Sequence, residues 1–444
     1  MPDSLKKPKK IASSLQALGI SLDASRVDPD CHGVIFSFFS GAGFMDLGFE
    51  RAGFVPLMVN EYHRPFLAAY QHSRARLGIT PPPLGYLGGS VEMLQWGPGK
   101  SWLRDRITEA RALGKPVGFV GGPPCPDFSN AGKHRGKDGE HGRLTKTYVD
   151  LIRAQQPDFF VFENVKGLLR NHPEHLYEIE QQLGAAGYRF ATRLANSLEY
   201  GVPQDRERVV IIGFHRSLYE RAGQPVPRRY RLDDAVWQDE LSHKMEQIGR
   251  LSWPKTSPFG ADPELGCPEG LPRELTVEYW FQQNQVEHHP NAHKRFQPRQ
   301  GMARMLQVQE GDVSRKSFKR LHRWRYSATA AYGNNEVHLH PTQVRRLSVA
   351  EALAIQSMPR DFELPDDMTL SDLFKTVGNG VPFLMAYGIA RSVARQLTAL
   401  RPPVARACDE GQGQGPLPAP PLPREVHGGQ EATASAVASL LTPC

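Results

Sequence analysis

The feature that most constrains this chain is an alternation of short apolar, β-rich runs with helical patterns in its first half. Strand-like runs rich in Val, Ile and Phe occupy residues 33–39, 55–60, 117–122, 158–162 and 206–214. Segments with helical spacing lie between several of them. Strands that alternate with helices are joined by crossover connections, so they pair in parallel and are covered on both faces. The sequence therefore predicts an α/β fold with a buried parallel sheet.

This alternation is interrupted near residue 215 and resumes near residue 341. The intervening segment is rich in Pro, Gln, His, Arg and Trp and lacks a clean period, which is typical of a small irregular insert. Helical patterns return at 347–359 and 381–397. We predict an N-terminal extension at 1–30, an α/β domain formed by 31–214 together with 341–400, an insert at 215–340, and a disordered Pro/Gly-rich tail at 401–444.

Charge, hydropathy and cysteine usage narrow the class of protein. The net charge is +7, and residues 291–325 alone hold ten Lys and Arg against two acids, which favours a phosphate-binding face. No run approaches the roughly 18 apolar residues of a membrane span, and no signal peptide is apparent. Five scattered cysteines give neither a disulfide framework nor paired zinc ligands. They favour a reducing cytoplasm.

A glycine-rich turn follows the first strand directly, in FFSGAGFMDLGF. Gly41 and Gly43 allow a tight turn and a close approach to a ligand at the carboxyl edge of the sheet. A dinucleotide fingerprint would need a third glycine where Asp46 stands. Glu61 ends the second strand, where an acid can bind ribose hydroxyls; alternatively it is a solvent-exposed residue opening a helix.

Cys125, in GGPPCPDFSNAGKHRG, follows another strand and has proline on both sides. It could be a buried small hydrophobe, a metal ligand or a nucleophile. The glycine-rich, basic segment that follows is typical of a mobile lid and provides an electropositive setting for a thiolate. The chain lacks a partner cysteine for a metal site, and His134 and His141 are weak substitutes.

Two further strand ends carry charged residues. Glu163 follows the run DFFVF and is either a helix cap or a proton donor in the same cleft as Cys125. Arg206 and Arg208 begin the run 206–214 and share a face by the two-residue period. Inward-facing strand arginines need an anionic or carbonyl partner.

Five motifs together resemble one family. FSGAGFMDLGF, PPCPDFS, ENV, QDRERV and VGNGVP occur in the order and approximate spacing of the DNA (cytosine-5) methyltransferases, over about 33–214 and 340–395. Each motif alone is weak, whereas five in order are specific. The resemblance implies a Rossmann-like S-adenosylmethionine-dependent methyltransferase fold, with the insert in the place of that family's small target-recognition domain.

The resemblance also implies roles. Cys125 matches the nucleophile that attacks carbon 6 of cytosine, Glu163 the carboxyl at N3 and the exocyclic amine, and Arg208 the arginine at O2, with Arg206 beside it. The positions that match or flank the S-adenosylmethionine pocket are Phe39, Ser40, Gly41, Gly43, Glu61, Pro123 and Asn379. The candidate DNA contacts are Ser129, Lys133, Arg135, Arg323, Arg325, Asn334 and Asn335. For the last four, packing of the insert onto the α/β domain is an equally favoured alternative, and no metal site is predicted.

The implied chemistry is covalent catalysis. A thiolate added at carbon 6 activates carbon 5 for methylation, and loss of the carbon 5 proton then expels Cys125. Because a stacked base is out of reach, the cytosine must be flipped out of the duplex. Two positions depart from the family pattern: Pro126 stands where many members have Gln, and Ser90 stands where an acid usually lies near the adenine.

The predicted protein is a sequence-specific DNA methyltransferase of a prokaryotic restriction–modification system that converts S-adenosylmethionine to S-adenosylhomocysteine. We expect a monomer on double-stranded DNA in the nucleoid, without membrane contact, functionally paired with a cognate restriction endonuclease. Two alternatives rank lower. A tRNA methyltransferase is disfavoured by the large insert and the lack of a Cys-Phe-Thr tripeptide. A catalytically inactive DNA-binding relative is disfavoured by the intact Cys125, Glu163 and Arg208.

Overall fold

A computed structural model describes residues 21–124, 140–260, 266–298, 301–315, 317–329 and 337–402. Six candidate site residues lie outside these ranges: Cys125, Ser129, Lys133, Arg135, Asn334 and Asn335. The extension up to residue 20 and the tail from residue 403 also lie outside them. In the described ranges, no helix is both long enough and apolar enough to span a bilayer.

The central feature is a seven-stranded sheet with the order β3-β2-β1-β4-β5-β7-β6. Its strands are β1 (Gly33–Phe38), β2 (Phe54–Glu61), β3 (Tyr86–Gly88), β4 (Val117–Gly121), β5 (Phe159–Val165), β6 (Tyr188–Asn196) and β7 (Glu207–His215). A separate two-stranded sheet pairs β8 (Lys319–Arg320) with β9 (His338–Leu339).

Helices cover both faces of the sheet and form much of the remainder. They are α1 (Phe44–Arg51), α2 (Arg64–Arg76), α3 (Gly97–Ala112), α4 (Glu140–Gln155), α5 (Gly167–Arg170), α6 (Pro173–Ala185), α7 (Arg216–Arg221), α8 (Ala235–Gln238), α9 (Met245–Arg250), α10 (Val277–Gln283), α11 (Met302–Leu306), α12 (Val349–Ile355), α13 (Leu370–Asn379) and α14 (Phe383–Ala399). Short 3₁₀ turns lie at Ala24–Arg26, Val91–Leu94, Ser197–Tyr200, Arg273–Leu275 and Pro290–His293.

The α/β prediction is confirmed, but the prediction of a wholly parallel sheet is wrong at one end. β7 lies between β5 and β6 and is antiparallel to both. The connection from β6 to β7 holds a single 3₁₀ turn and no crossover helix, so consecutive strands must run in opposite directions. Two strands of this sheet, β3 and β6, are absent from the strand-like runs predicted above, as are β8 and β9 of the small sheet. β3 has three residues, and β6 (YRFATRLAN) lacks the continuous apolar run of the buried strands.

Alternate residues of the strands point into two core layers. On β1, Ile35 belongs to one layer, whereas Phe36 and Phe38 belong to the other. The C-terminal helices complete the first layer by packing against α1. A Cβ on Gly48 would lie 2.6 Å from the Cβ of Ala386, so a side chain at this crossing is excluded. The last segment of the domain therefore packs on its first helix.

The segment predicted as an insert contributes to two different cores. Trp237 and Trp280 are fully buried in the same layer as α12 and α14. Met305 and Leu339 instead lie in a small separate cluster around β8 and β9. His289 is buried, and its Nε2 lies 3.2 Å from the Phe362 carbonyl. The first part of the insert therefore packs under the C-terminal helices.

Candidate active site

The carboxyl ends of β1, β2, β4 and β5 meet at one edge of the sheet because these four strands are parallel. The candidate residues follow these ends in turn. Phe39 to Gly43 come after β1, Glu61 is the last residue of β2, Pro123 follows β4 and Glu163 lies near the end of β5. The fold thus brings the described pocket candidates of the first domain segment to one edge.

Glu163 is buried and forms an ion pair with Arg208, which is half-buried. Arg208 Nε lies 3.0 Å from Glu163 Oε1, and the residues belong to neighbouring strands, β7 and β5. Burial raises the pKa of the Glu163 carboxyl, while the charges of Arg208 and Arg206 oppose that shift. The Glu163 carboxyl can therefore hold a proton more readily than an exposed glutamate.

The second oxygen of Glu163 lies beside the turn that leads to Cys125. A Cβ placed on Gly122 would be only 2.6 Å from Glu163 Oε2, so any larger residue here would have to displace that carboxylate oxygen. The Asn164 amide donates a hydrogen bond of 3.4 Å to the carbonyl of Pro123, which is buried. These contacts fix the two residues before Pro124 against β5.

The turn after β1 is shaped by left-handed backbone and by Glu61. Phe39, Gly41 and Gly43 have φ values of 55°, 58° and 78°. Glu61 Oε2 accepts a hydrogen bond of 2.8 Å from the Gly41 amide, and Oε1 accepts one of 2.6 Å from the His63 amide. The Ser40 amide bonds to the Asn60 carbonyl at 3.1 Å. Glu61 is therefore buried rather than solvent-exposed, and burial raises the pKa of its carboxyl.

One exposed aromatic residue near this turn, Tyr62, was not predicted as a site residue. Tyr62 directly follows Glu61, and its side chain is 74% exposed. An exposed aromatic face at a ligand-binding edge can stack on a heterocycle, and its position after Glu61 was the available signal. Ser90 caps the 3₁₀ turn after β3, and Glu92 within that turn pairs with Arg143 at 2.9 Å.

Arg206 makes a different contact from Arg208. It is fully buried just before β7, and its Nη2 donates a 2.9 Å hydrogen bond to the Gly378 carbonyl. The neighbouring carbonyl, of Val377, accepts a hydrogen bond of 2.6 Å from the side-chain amide of Gln356. Gln356 was not predicted as a site residue. These bonds hold the end of α13, where Asn379 is exposed, against the strand that carries Arg208. Arg206 thus positions main chain, and its predicted place in the catalytic group stays a prediction.

The two predicted DNA contacts that the structure describes, Arg323 and Arg325, differ in burial. Arg323 is buried, and its Nε and Nη2 bond to the two oxygens of Glu310 at 3.0 and 3.2 Å. This burial favours the packing alternative for Arg323, and its base contact stays a prediction. Arg325 is half-buried, and its Nη1 lies 3.4 Å from the Pro254 carbonyl. Arg320, counted in the phosphate-binding face, is also fully buried, so the face carries fewer cations than the sequence suggested.

Comparisons with known proteins agree with this geometry. Residues 104–395 match the family described as C-5 cytosine-specific DNA methylase. The chain is 52% identical over 366 residues to the Type II methyltransferase M.NmeDI of Neisseria meningitidis serogroup C, covering 82% of this chain and 84% of the relative. It is 31% identical to the Type II methyltransferase M.FnuDI of Fusobacterium nucleatum, covering 82% and 95%.

Solved structures share the fold. A prophage-encoded protein of E. coli, described as a DNA modification methyltransferase, superposes with a TM-score of 0.55 at 20% identity, over 82% of this chain and 99% of that one. The S. pombe Dnmt2 methyltransferase gives 0.50 at 10% identity, over 83% and 99%. The family match and the 52% identical relative establish that this chain belongs to the C-5 cytosine-specific DNA methylases and is a DNA cytosine-5 methyltransferase.

Proposed function

We propose that the protein methylates carbon 5 of a flipped cytosine in a specific duplex sequence, through a covalent adduct with Cys125 and with S-adenosylmethionine as the donor. One observation carries the proposal. Glu163 is paired with Arg208, and its second carboxylate oxygen lies against Gly122, three residues before Cys125. A protonatable carboxyl beside a guanidinium suits N3 and O2 of a cytosine, which need a proton and a hydrogen-bond donor respectively.

The proposed reaction begins with attack by the Cys125 thiolate. Formation of the Sγ–carbon 6 bond shifts the π electrons of the ring towards N3, where the proton held by Glu163 neutralises them. Carbon 5 becomes the nucleophilic carbon of an enamine. Carbon 5 takes the methyl group that the sulfonium would supply, which would leave a neutral thioether, and the N3 proton returns to Glu163. A general base then removes the carbon 5 proton, the carbon 5–carbon 6 double bond forms again and the Sγ–carbon 6 bond breaks. Arg208 keeps the cytosine ring oriented and stabilises negative charge at its O2 atom.

The turn after β1 fits the proposed cofactor. A Cβ on Gly41 would meet no atom within 4 Å, so open space lies in front of the turn. Glu61 is anchored beside it, and the exposed ring of Tyr62 offers a stacking surface. S-adenosylmethionine would supply an electrophilic methyl group on a sulfonium. The chain's own residues bind it through the turn, the Glu61 carboxylate and the end of α13 near Asn379.

The biological setting is proposed from the relatives. Their names describe Type II methyltransferases, so we propose a restriction–modification role with a cognate endonuclease that cuts the same unmethylated site. We further propose that the enzyme acts as a monomer on the chromosome, inside the cytoplasm. The remaining cations of the insert, with Arg325, contact phosphates or bases, as do Asn334 and Asn335 and the loop residues Ser129, Lys133 and Arg135.

The test uses chemistry that separates a covalent from a non-covalent mechanism. Mixed-sequence duplex DNA is prepared with 5-fluorocytosine in place of cytosine and incubated with the enzyme and S-adenosylmethionine. Fluorine cannot leave carbon 5 as a cation, so a covalent adduct accumulates and survives denaturing electrophoresis. We expect this adduct with wild type and with the control Cys267→Ser, whose cysteine lies in the insert. We expect none with Cys125→Ser.

Substrate choice is tested with labelled S-adenosylmethionine and ordinary nucleic acids. The label should enter duplex DNA, and sequencing should locate it at one cytosine of a recurring short sequence. Methylation by Cys125→Ser at the wild-type rate would overturn the mechanism. Label found only in tRNA would overturn the choice of DNA as the physiological substrate.

A further inference from the structure

We propose that Arg74 is a positioning residue for the S-adenosylmethionine turn: from α2 it holds the Gly43 carbonyl and thereby sets where the turn 39–43 presents its open side. The inference rests on the cofactor assignment made above. Arg74 lies outside all five sequence motifs, on a helix that the sequence alone marks only as an amphipathic cover of the sheet.

Arg74 is held in place by contacts on several sides. Its side chain is 2% exposed, and its Nη2 donates a hydrogen bond of 2.7 Å to the Gly43 carbonyl. Its Nε lies 2.8 Å from Glu50 Oε2 on α1, and its guanidinium sits 4.4 Å from the centre of the Tyr70 ring. A planar fork with charge at several nitrogens can make these contacts together, which an ammonium cannot.

The turn has a closed rear and an open front. A Cβ on Gly43 would lie 2.5 Å from a Tyr70 ring carbon and 2.8 Å from Arg74 Nη2, so the turn rests directly on these two side chains. At Gly41, two residues earlier, the corresponding space is open. Glu61 fixes the turn from one side through the Gly41 amide. Arg74 and Tyr70 therefore form the support against which a bound ligand would press.

The charges around Arg74 explain why a simple deletion would be ambiguous. On α1, Asp46 is buried and Glu50 is half-buried. Burial raises the pKa of each carboxyl, and the charge of Arg74 opposes this. Removing Arg74 would leave these carboxyls without their cation, which destabilises the fold independently of the turn. A test must separate the loss of charge balance from the loss of the Gly43 contact.

The experiment compares four variants of the full chain: Arg74→Met, Arg74→Lys, the double variant Glu50→Gln with Arg74→Met, and the control Arg76→Met. Arg76 is on the same helix but is 58% exposed and pairs with Glu363, away from the turn. Calorimetry measures the Kd for S-adenosylhomocysteine, thermal melting measures stability, and a mobility shift measures DNA binding. None of these readouts needs catalysis.

We expect Arg74→Met to weaken S-adenosylhomocysteine binding about tenfold, as the loss of a charge-assisted hydrogen bond would, and to lower the Tm. The double variant should recover Tm without recovering affinity. Arg74→Lys should fall between wild type and Arg74→Met. DNA binding and the Arg76→Met control should match wild type.

Two outcomes overturn the inference. One is wild-type affinity in Arg74→Met, and the other is recovery of affinity together with Tm in the double variant. Either result would mean that Arg74 only balances the charge of the neighbouring carboxylates and does not position the turn. Failure of the cofactor assignment looks different: wild type and Arg76→Met would then bind no S-adenosylhomocysteine at all.

Discussion

Two arginine–glutamate pairs, Arg208–Glu163 at the sheet edge and Arg323–Glu310 in the insert, have the same 3.0 Å separation and different surroundings. Arg323 engages both oxygens of Glu310, and its own main-chain amide adds a third bond at 2.9 Å. At the sheet edge, Arg208 Nε lies on Oε1 of Glu163, while Oε2 points towards Gly122.

The difference lies in where each carboxylate directs its remaining hydrogen-bonding capacity. Glu310 uses it within the insert, so the pair ties segments of chain together and contributes stability. Glu163 keeps an oxygen at the turn that leads to Cys125, and that oxygen can bind a substrate. The same pair of residue types thus forms a structural contact in one region and a candidate catalytic group in the other.

The largest effect should come from Glu163→Gln, which tests the catalytic role proposed for the pair at the sheet edge. An amide keeps the shape but cannot pass a proton to N3, so we expect methylation to fall by roughly 10²- to 10⁴-fold with little change in folding. Single-turnover methylation with labelled donor measures the loss, and the matched Glu310→Gln variant reports the structural pair. A Glu163→Gln enzyme within threefold of wild type would remove Glu163 from the mechanism.

The next largest effect should come from Arg323→Met. It leaves Glu310 buried without its cation, which costs about 3 kcal/mol of unfolding free energy by analogy with other buried pairs. Adding Glu310→Gln should restore most of that loss, and denaturant unfolding measures both. If Arg323→Met leaves stability unchanged and alters only the methylated sequence, Arg323 contacts DNA bases and its assignment to packing within the insert is wrong.

Gly122→Ala sharpens the comparison with a single methyl group. The added Cβ would crowd Glu163 Oε2 at 2.6 Å and displace it. Displacement of a catalytic group by a fraction of an ångström should reduce the rate about tenfold or more, while S-adenosylhomocysteine binding stays unchanged. Gly249→Ala, where a Cβ meets no atom within 4 Å, is the matched control.

The smallest expected effect concerns pH. The pKa of Glu163 is raised, so its protonated fraction persists to higher pH than in an exposed glutamate and falls as pH rises through that pKa. Rising pH also favours the thiolate form of any cysteine nucleophile, so this effect opposes the loss of the Glu163 proton and we expect the rate to change less than about tenfold. Rate profiles of wild type and Glu163→Gln should differ on the alkaline side; identical shapes would contradict proton transfer by Glu163.

Sequence reasoning succeeded where a local rule decides position. Glu61 and Glu163 follow apolar runs, and parallel strands end at a common edge, so their proximity could be predicted without coordinates. The rule fails for β7 because strand direction depends on the connection, and an apolar run carries no sign of it. It also fails for Arg320 and Arg323, since a cation in the sequence looks the same whether carbonyls, a carboxylate or DNA will surround it.

Arg74 shows a further limit of the same kind. Its contacts with Gly43 and Glu50 join α2 to α1 across a strand and a turn, and no spacing within α2 indicates them. Gln356 is similar, because its hydrogen bond to the Val377 carbonyl links the end of α12 to α13. Such positioning residues are found by tracing buried polar contacts after the fold is known.

The packing of α14 on α1 has a consequence for synthesis on the ribosome. Gly48 meets Ala386, and Gly380 meets Phe44, so the apolar side of the first helix is covered by nearly the last helix to be made. A nascent chain must expose that side until about residue 399 has left the exit tunnel, and during this interval it is open to aggregation. We expect chaperone dependence to end abruptly at that length, and C-terminal truncations into α14 to be insoluble while truncation at residue 402 is tolerated.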